Sequence, residues 1–237
     1  MKASSNCIQS LTLLYLLQLA NPSLPVGAYS YSDGLEALVE TDIINDSQSL
    51  GQWLEQELRY GAIRLEAAVM VRAYQSVKNS DFEALAYWNA WITAAKETTE
   101  LRSQSWQMGN SLMRLLLDLS PQPEAIASVQ DLASAVGYPC NYAIAFGIAT
   151  ANWQIDITAA VLGYLQSWAS NLISAGVELI PLGQTAGQQL LLQHSSTITL
   201  TTQEILTLED DHLMSCGWGL ALASMAHETQ YTRLFRS

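Results

Sequence analysis

The sequence predicts an all-α protein, a single multi-helix domain of about eight to ten helices covering residues 1–237. Three observations carry that expectation: apolar residues recur at three- and four-residue spacing, helix-start patterns precede several of those stretches, and alternating β-branched segments are scarce. Hydrophobic residues make up 49% of the chain and charged residues 14%, too little charge and too much apolar side chain for disorder. Lys plus Arg number 10 against 22 Asp plus Glu, a formal charge of -12. That balance repels phosphate backbones and argues against nucleic acid as a partner.

The first apolar stretch, Leu11 to Ala20, runs into Asn21-Pro22 rather than a small-residue cleavage site, which argues against a secretory signal. Cys7, Cys140 and Cys216 are odd in number and form no C-x-x-C pair, so the chain reads as cytoplasmic. After a break at Asn21 to Ser32, Asp33 with Glu36 forms a capping-box pattern ahead of Leu35 and Leu38. Beyond Asn45 to Ser47, the residues Trp53, Leu54, Glu57, Leu58 and Gly61 recur at helical spacing in one stretch from about Ser47 to Tyr74. Lys78 to Ser80 breaks the pattern again, and Ser80 with Glu83 repeats the capping box ahead of Phe82 to Trp88. Leu112, Leu115, Leu116 and Leu119 continue the helical spacing up to the breaker Ser120 to Pro123.

Between Arg114 and Arg233 there is no Lys or Arg. This half is either an acidic body whose charge is low because it is buried, or a surface partly hidden between subunits. Its uncharged runs, Leu132 to Ile155 and Ile157 to Val177, each meet the ~20-residue criterion for a membrane span, so a small helical membrane protein is an alternative reading. Against it, Gly137, Pro139 and Asn141 interrupt the first run, and the second carries Gln166, Ser167, Ser170 and Asn171 without a basic flank. Buried helices produce the same pattern. Pro181 to Gly187 is a further breaker. Thr197 to Thr202 alone looks like a strand, or like an extended approach to a helix at Gln203 to Leu208.

Few residues suggest catalysis. Gly183 to Gln189 lacks the Lys and the glycine spacing of a phosphate-binding loop, so nucleotide binding by this chain is not expected. Asp210-Asp211-His212 could serve a hydrolase, yet no nucleophile adjoins it. On a helix, His212 and Cys216 would share a face and could ligate a metal with Asp211; an exposed His and a buried thiol is the simpler account, and no metal site is assigned. His194 reads as a helix-end residue, and His227 as a surface residue bonded to its neighbour Glu228.

Two segments call for more than a structural role. Asn21 to Glu36 sets two prolines and two tyrosines on a stiff loop, suited to recognition or to closing over the core. His227 to Ser237 places Tyr231, Leu234 and Phe235 beside Arg233 and Arg236, the residue types of binding hot spots, though such a tail could also dock on its own acidic body.

Together with Leu179 to Gln188, these segments resemble the UreF family of urease accessory proteins. The family's Pro-x-Leu-Pro-Val-Gly-x-[Phe/Tyr]-Ser-Tyr-Ser-x-Gly-Leu-Glu loop matches at Pro22 to Glu36. Its Pro-Leu-Gly-Gln-Thr-x-Gly-Gln turn matches at Pro181 to Gln188, and its His-Glu-Thr-Gln-Tyr-x-Arg-Leu-Phe-Arg-Ser tail at His227 to Ser237. The resemblance implies an all-helical, non-enzymatic homodimer that binds the accessory protein UreD, called UreH in some systems. The pair then recruits the GTPase UreG, which carries nickel to the urease apoprotein. This chain would bind no cofactor alone, since GTP belongs to UreG and nickel is handled by the complex; neither membrane nor nucleic acid is involved.

By motif position, the tail residues His227, Glu228, Gln230, Tyr231, Arg233, Leu234, Phe235, Arg236 and Ser237 would bind UreD, becoming ordered as they do in relatives. Pro25, Gly27, Tyr29, Ser30, Tyr31 and Glu36 would form a structural or interface loop, and Pro181, Gly183, Gln184 and Gly187 the motif turn. Glu178, Gln189 and Ala226 stand where relatives often have basic residues, so contacts made by those basic residues are not carried over.

Overall fold

The uncharged run Leu132 to Ile155 folds into the centre of the protein. Its helix α8 (Tyr142–Asn152) is buried at every residue from Ala143 to Asn152, which accounts for the membrane-like composition without a membrane. Among the described residues no helix is long and apolar enough to cross one. A computed structural model describes residues 2–119 and 125–237, with side chains from Ser10 onward. The Cys7 side chain and the breaker at Ser120 to Pro123 lie outside the described residues.

Around α8 stand α4 (Ala62–Lys78), α5 (Phe82–Ala95), α6 (Thr99–Asp118) and α9 (Ile157–Leu179). Two glycines set the crossings. A Cβ on Gly147 would lie 2.6 Å from the Met70 carbonyl oxygen, and one on Gly109 would lie 2.2 Å from that of Cys140. Only a residue without a side chain lets these backbones approach so closely. Phe146 stacks edge-on against Tyr142 and Tyr164 in the resulting core. A smaller second core joins Leu35, Leu50, Leu54, Leu172, Ile180, Leu190 and Phe235.

The remaining helices are α1 (Lys2–Leu19), α2 (Leu35–Glu40), α3 (Ser47–Tyr60), α7 (Val129–Val136), α10 (Gln184–Gln193), α11 (Ser195–Leu206) and α12 (Trp218–Glu228). The described residues therefore hold twelve α-helices, not eight to ten. One added helix comes from the stretch expected to run unbroken from Ser47 to Tyr74: it splits at Gly61, which is extended (φ -85°, ψ -175°) and ends α3 while starting α4. The apolar spacing continues across the split because both helices face the protein interior. A Cβ on Gly61 would lie 2.0 Å from Glu57 Oε2, so the glycine also makes room for that carboxylate.

Thr197 to Thr202 is helical, within α11, and not a strand. Ile198, Thr201, Thr202 and Ile205 are buried at helical spacing. Thr199 and Thr202 turn their hydroxyls back onto the carbonyls of Ser195 and Ile198, each at 2.8 Å. Tertiary packing overrides the β-preference of these residues.

Both expected capping boxes are corrected. Helix α5 is capped by Asp81, whose Oδ1 accepts from the Ala84 amide at 2.9 Å, one residue beyond Ser80. Helix α2 is preceded by Gly34 at its N-cap, with no side-chain cap, and Asp33 and Glu36 are used elsewhere.

Candidate functional site

The N-terminal loop is shaped by Gly27, at φ 79°, and a 310 turn over Ala28–Ser30. The turn directs Tyr29 into solvent and Tyr31 inward, where its hydroxyl donates to Gln107 and its carbonyl accepts from Asn171 Nδ2 at 3.2 Å. Pro25 is exposed on the approach. Asp33 and Gly34 then take left-handed conformations, φ 50° and 74°. A Cβ on Gly34 would also meet Ala223 Cβ and the Ser224 amide, both at 3.1 Å, so glycine serves both the turn and the close approach of α12. Through this turn Glu36 enters the protein instead of capping a helix.

The C-terminal tail lies in extended form against that loop. The Arg236 amide donates to the Ser30 carbonyl at 2.8 Å, and the Ser32 amide to the Ser237 carbonyl at 2.8 Å. The Ser32 hydroxyl donates to the same oxygen at 2.5 Å, while the Ser237 hydroxyl donates to Gln104 Oε1 at 2.6 Å. Glu36 accepts the amides of Leu234, at 2.6 Å on Oε1, and Phe235, at 2.9 Å on Oε2. Burial alternates along the strip: Phe235 and Ser237 are buried, whereas Leu234 and Arg236 face solvent. Tyr231, just before it, is fully exposed.

A charge cluster lies beneath the tail. His227, expected at the surface beside Glu228, is instead 0% exposed. Its Nδ1 is 2.9 Å from Glu100 Oε2 and its Nε2 is 3.3 Å from Glu36 Oε2. Arg233 pairs with Glu100 Oε1 at 2.9 Å and donates to the carbonyls of Gln230 and Glu228. The Glu228 carboxylate accepts the Glu100 amide at 3.3 Å. His227 lies inside because α12 packs on α2 and α6, a contact that sequence spacing does not reveal.

Gln104 links this unit to a partly open pocket of about 70 Å³, lined by Asp33, Glu57, Glu66, Lys96 and Trp168 among others. Asp33 accepts from Gln104 Nε2 at 2.6 Å and from Trp168 Nε1 at 3.0 Å. Burial raises its carboxyl above the ordinary range despite the hydrogen bond from Gln104. Lys96 pairs with Glu66, which also accepts from the Tyr164 hydroxyl at 3.2 Å. Burial and the neighbouring carboxylate of Asp33 push Glu57 up to about 7. Its Oε2 is buried without a hydrogen-bond partner, the arrangement that most disfavours a charge.

The third motif does not contribute polar groups to this cluster. Pro181, Gly183 and Gln184 are exposed at the start of α10, and Gly187 is buried, where an added Cβ would lie 3.0 Å from Val177 and 3.2 Å from Ile173. Ile180 and Leu190, on either side of the turn, share the second core with Phe235. Glu178, Gln189 and Ala226 are all exposed.

The remaining candidates have separate roles. His194 does sit at a helix end, its ring nitrogens 2.8 Å from the Leu190 carbonyl and 2.9 Å from that of Gly51. Asp210 accepts from the buried Arg72 guanidinium, at 3.0 Å from Nε, and so is committed to an ion pair. His212 and Cys216 do not share a helix face, because a 310 turn over Asp210–His212 is followed by irregular chain. Instead Glu209, Asp211 and His212 bring exposed ligand atoms within 4.8 Å of one another. Sequence reading overlooked Ser32, Glu100 and Gln104; they are polar residues of ordinary type, given importance only by what folds against them.

The sequence model of the family described as UreF matches residues 44–195. A protein of Nostoc sp. (strain PCC 7120 / SAG 25.82 / UTEX 2576), named urease accessory protein UreF, is 65% identical over 224 residues, covering 94% of this chain and 95% of the relative. A protein of the same name from Trichormus variabilis is 62% identical over 224 residues, with the same coverage of both chains. Another from Microcystis aeruginosa is 54% identical over 225 residues, 95% of this chain and 97% of its own.

Proposed function

The chain belongs to the UreF family of urease accessory proteins, and from that premise we propose that it is a cytoplasmic, non-enzymatic scaffold for nickel insertion into urease. In this reading the tail and N-terminal loop capture UreD (UreH), and the pair recruits UreG with its GTP and its nickel cargo to the urease apoprotein. The observation that carries the reading is the division of labour within the tail. Phe235 and Ser237 are buried as anchors, while Tyr231 and Leu234 are held in solvent with no core of their own to fill. Exposed apolar side chains on a fixed backbone suit an interface, because little conformational freedom remains to be lost on binding.

A homodimer is part of the same proposal. Leu13, Leu14 and Leu17 stand exposed on α1, close enough in helical position to form one apolar ridge. Light scattering should give a dimer at micromolar concentration and a monomer for Leu14→Glu with Leu17→Glu. A monomeric parent chain would remove this part of the proposal.

Capture of UreD by the Tyr231→Ala, Leu234→Ala double variant tests the interface. Hot-spot truncations cost on the order of 2–4 kcal/mol each, so affinity should fall by at least about 100-fold. The melting temperature should stay put, since neither side chain is buried. Unimpaired capture would end the interface reading.

A further inference from the structure

Helix α12 is apolar on both sides. Leu220, Ala221 and Ala223 pack inward, yet Trp218, Leu222 and Met225 stand 76%, 64% and 49% exposed, four and three residues apart and so on one outward face. A surface helix ordinarily turns polar residues to that side. Beside this face runs a groove of about 810 Å³, lined by α2, the loop after it, α3 and α12; Leu38, Ile43, Ile44, Trp53 and Leu222 are its large apolar side chains. Ile43 is itself 64% exposed. An added Cβ at Gly219, also in the lining, would meet no atom within 4 Å, so this part of the groove is left unfilled by the chain. A contiguous exposed apolar surface with a charged rim marks a docking site.

The charge around the groove has one sign. No Lys or Arg lines it. Glu40 and Asp42, both exposed, flank the lining residue Thr41, and Glu55 precedes the lining residue Gln56. The chain carries no Lys or Arg from Leu35 to Leu58 or along α12, and Arg59, the next, is paired with Glu55. We propose that this groove takes a basic amphipathic helix of another protein, its apolar face against Ile43, Trp53 and Leu222 and its Lys or Arg side chains on Glu40, Asp42 and Glu55. A helix is the form that fits, because strand addition needs a sheet edge and the described residues contain no strand. The acidic rim turns away other occupants. It repels nucleic acid and anionic lipid, and a second copy laid groove to groove would bring two such rims together. The lining does not include Tyr231 or Leu234, so the inference goes beyond the function proposed above and does not rest on it.

A peptide of two Leu-Lys-Lys-Leu-Leu-Lys-Leu repeats, titrated calorimetrically into the full chain, is the probe. It should bind one to one, whereas the same peptide with Glu in place of Lys should not bind. A peptide of the same composition, reordered to scatter Leu around the helix, should bind at least about tenfold more weakly. Leu222→Ala with Ile43→Ala should weaken the Lys peptide by at least about tenfold, as truncating two central contact side chains does. Both side chains are exposed in the free chain, so the melting temperature should not change. Glu40→Gln with Asp42→Asn should weaken binding by about threefold to tenfold and reduce its loss with added salt. Parent-like affinity in either double variant, or equal binding of the Glu peptide, would overturn the proposal. So would either competing occupant. Light scattering in which Leu222→Ala with Ile43→Ala turns a dimer into a monomer would give the groove to a second copy, and phosphatidylglycerol vesicles that displace the peptide would give it to a membrane. Because the chain is measured alone, failure here leaves the UreD reading standing.

Discussion

The centre of the molecule and its loop–tail unit are held by different forces. Helices α4 and α8 meet where Gly147 approaches Met70 and Ala73, with Phe146 buried beside the crossing, so burial and close backbone approach supply the stability. The tail is placed by directed bonds to Ser30, Ser32, Glu36, Glu100 and Gln104, and only Phe235 is added to an apolar core. A hydrophobic core tolerates changes in charge and pH but not in volume. A polar latch has the opposite sensitivities. A segment placed by polar bonds over little apolar contact can be rearranged without opening the body.

Removing volume from the centre should have the largest effect. Phe146→Ala is expected to cost about 3–5 kcal/mol and to lower the melting temperature by roughly 10 °C or more. A smaller loss than in the tail would mean the two regions are not distinguished as described. Deleting Tyr231 to Ser237 comes next. It removes one buried aromatic, worth about 2–3 kcal/mol, so melting should fall by roughly 4–8 °C with helix content preserved outside the tail.

Glu57 probes the boundary between the regions through pH. Its folded value near 7 lies above its ordinary 4.5, so the folded protein retains a proton that the unfolded chain releases. This contribution is complete below about pH 4.5 and is lost as pH rises through about 7, on the order of 3 kcal/mol in all. Glu57→Gln should therefore raise stability at pH 8 by about 1–3 kcal/mol and flatten the slope between pH 5 and 7. Denaturant titration at several pH values checks this; an unchanged slope would assign the pH dependence to other groups. The smallest effect is expected for Arg59→Ala, which breaks an exposed pair with Glu55 on α3 and should change stability by no more than about 0.5 kcal/mol.

Local signals in the sequence were sound where the deciding physics is local. The helical class follows from apolar spacing, and the breaks expected at Asn45 to Ser47 and Pro181 to Gly187 mark helix starts, although Ser47 already belongs to α3 and Gln184 to Gly187 to α10. The capping patterns were less secure, because a carboxylate near a helix start can be claimed by a distant partner. Asp33 is claimed by Gln104 and Trp168, and Glu36 by the tail. The motif residues of loop and tail could be singled out by composition and resemblance. Their meeting could not: Ser32 and Ser237 stand 205 positions apart, and His227 and Glu100 127 apart.

By itself the sequence determined the helical class, the acidic balance and the three motifs that identify the family, since each depends on residue type and short spacing. The tertiary structure alone decided which residues became neighbours. Burial on all sides turned a membrane-like run into α8, packing made a threonine-rich segment into α11, and α12 carried His227 inward between two carboxylates. The physical reason is that desolvation and hydrogen-bond pairing depend on surroundings, and those surroundings are set by chain segments far apart in sequence.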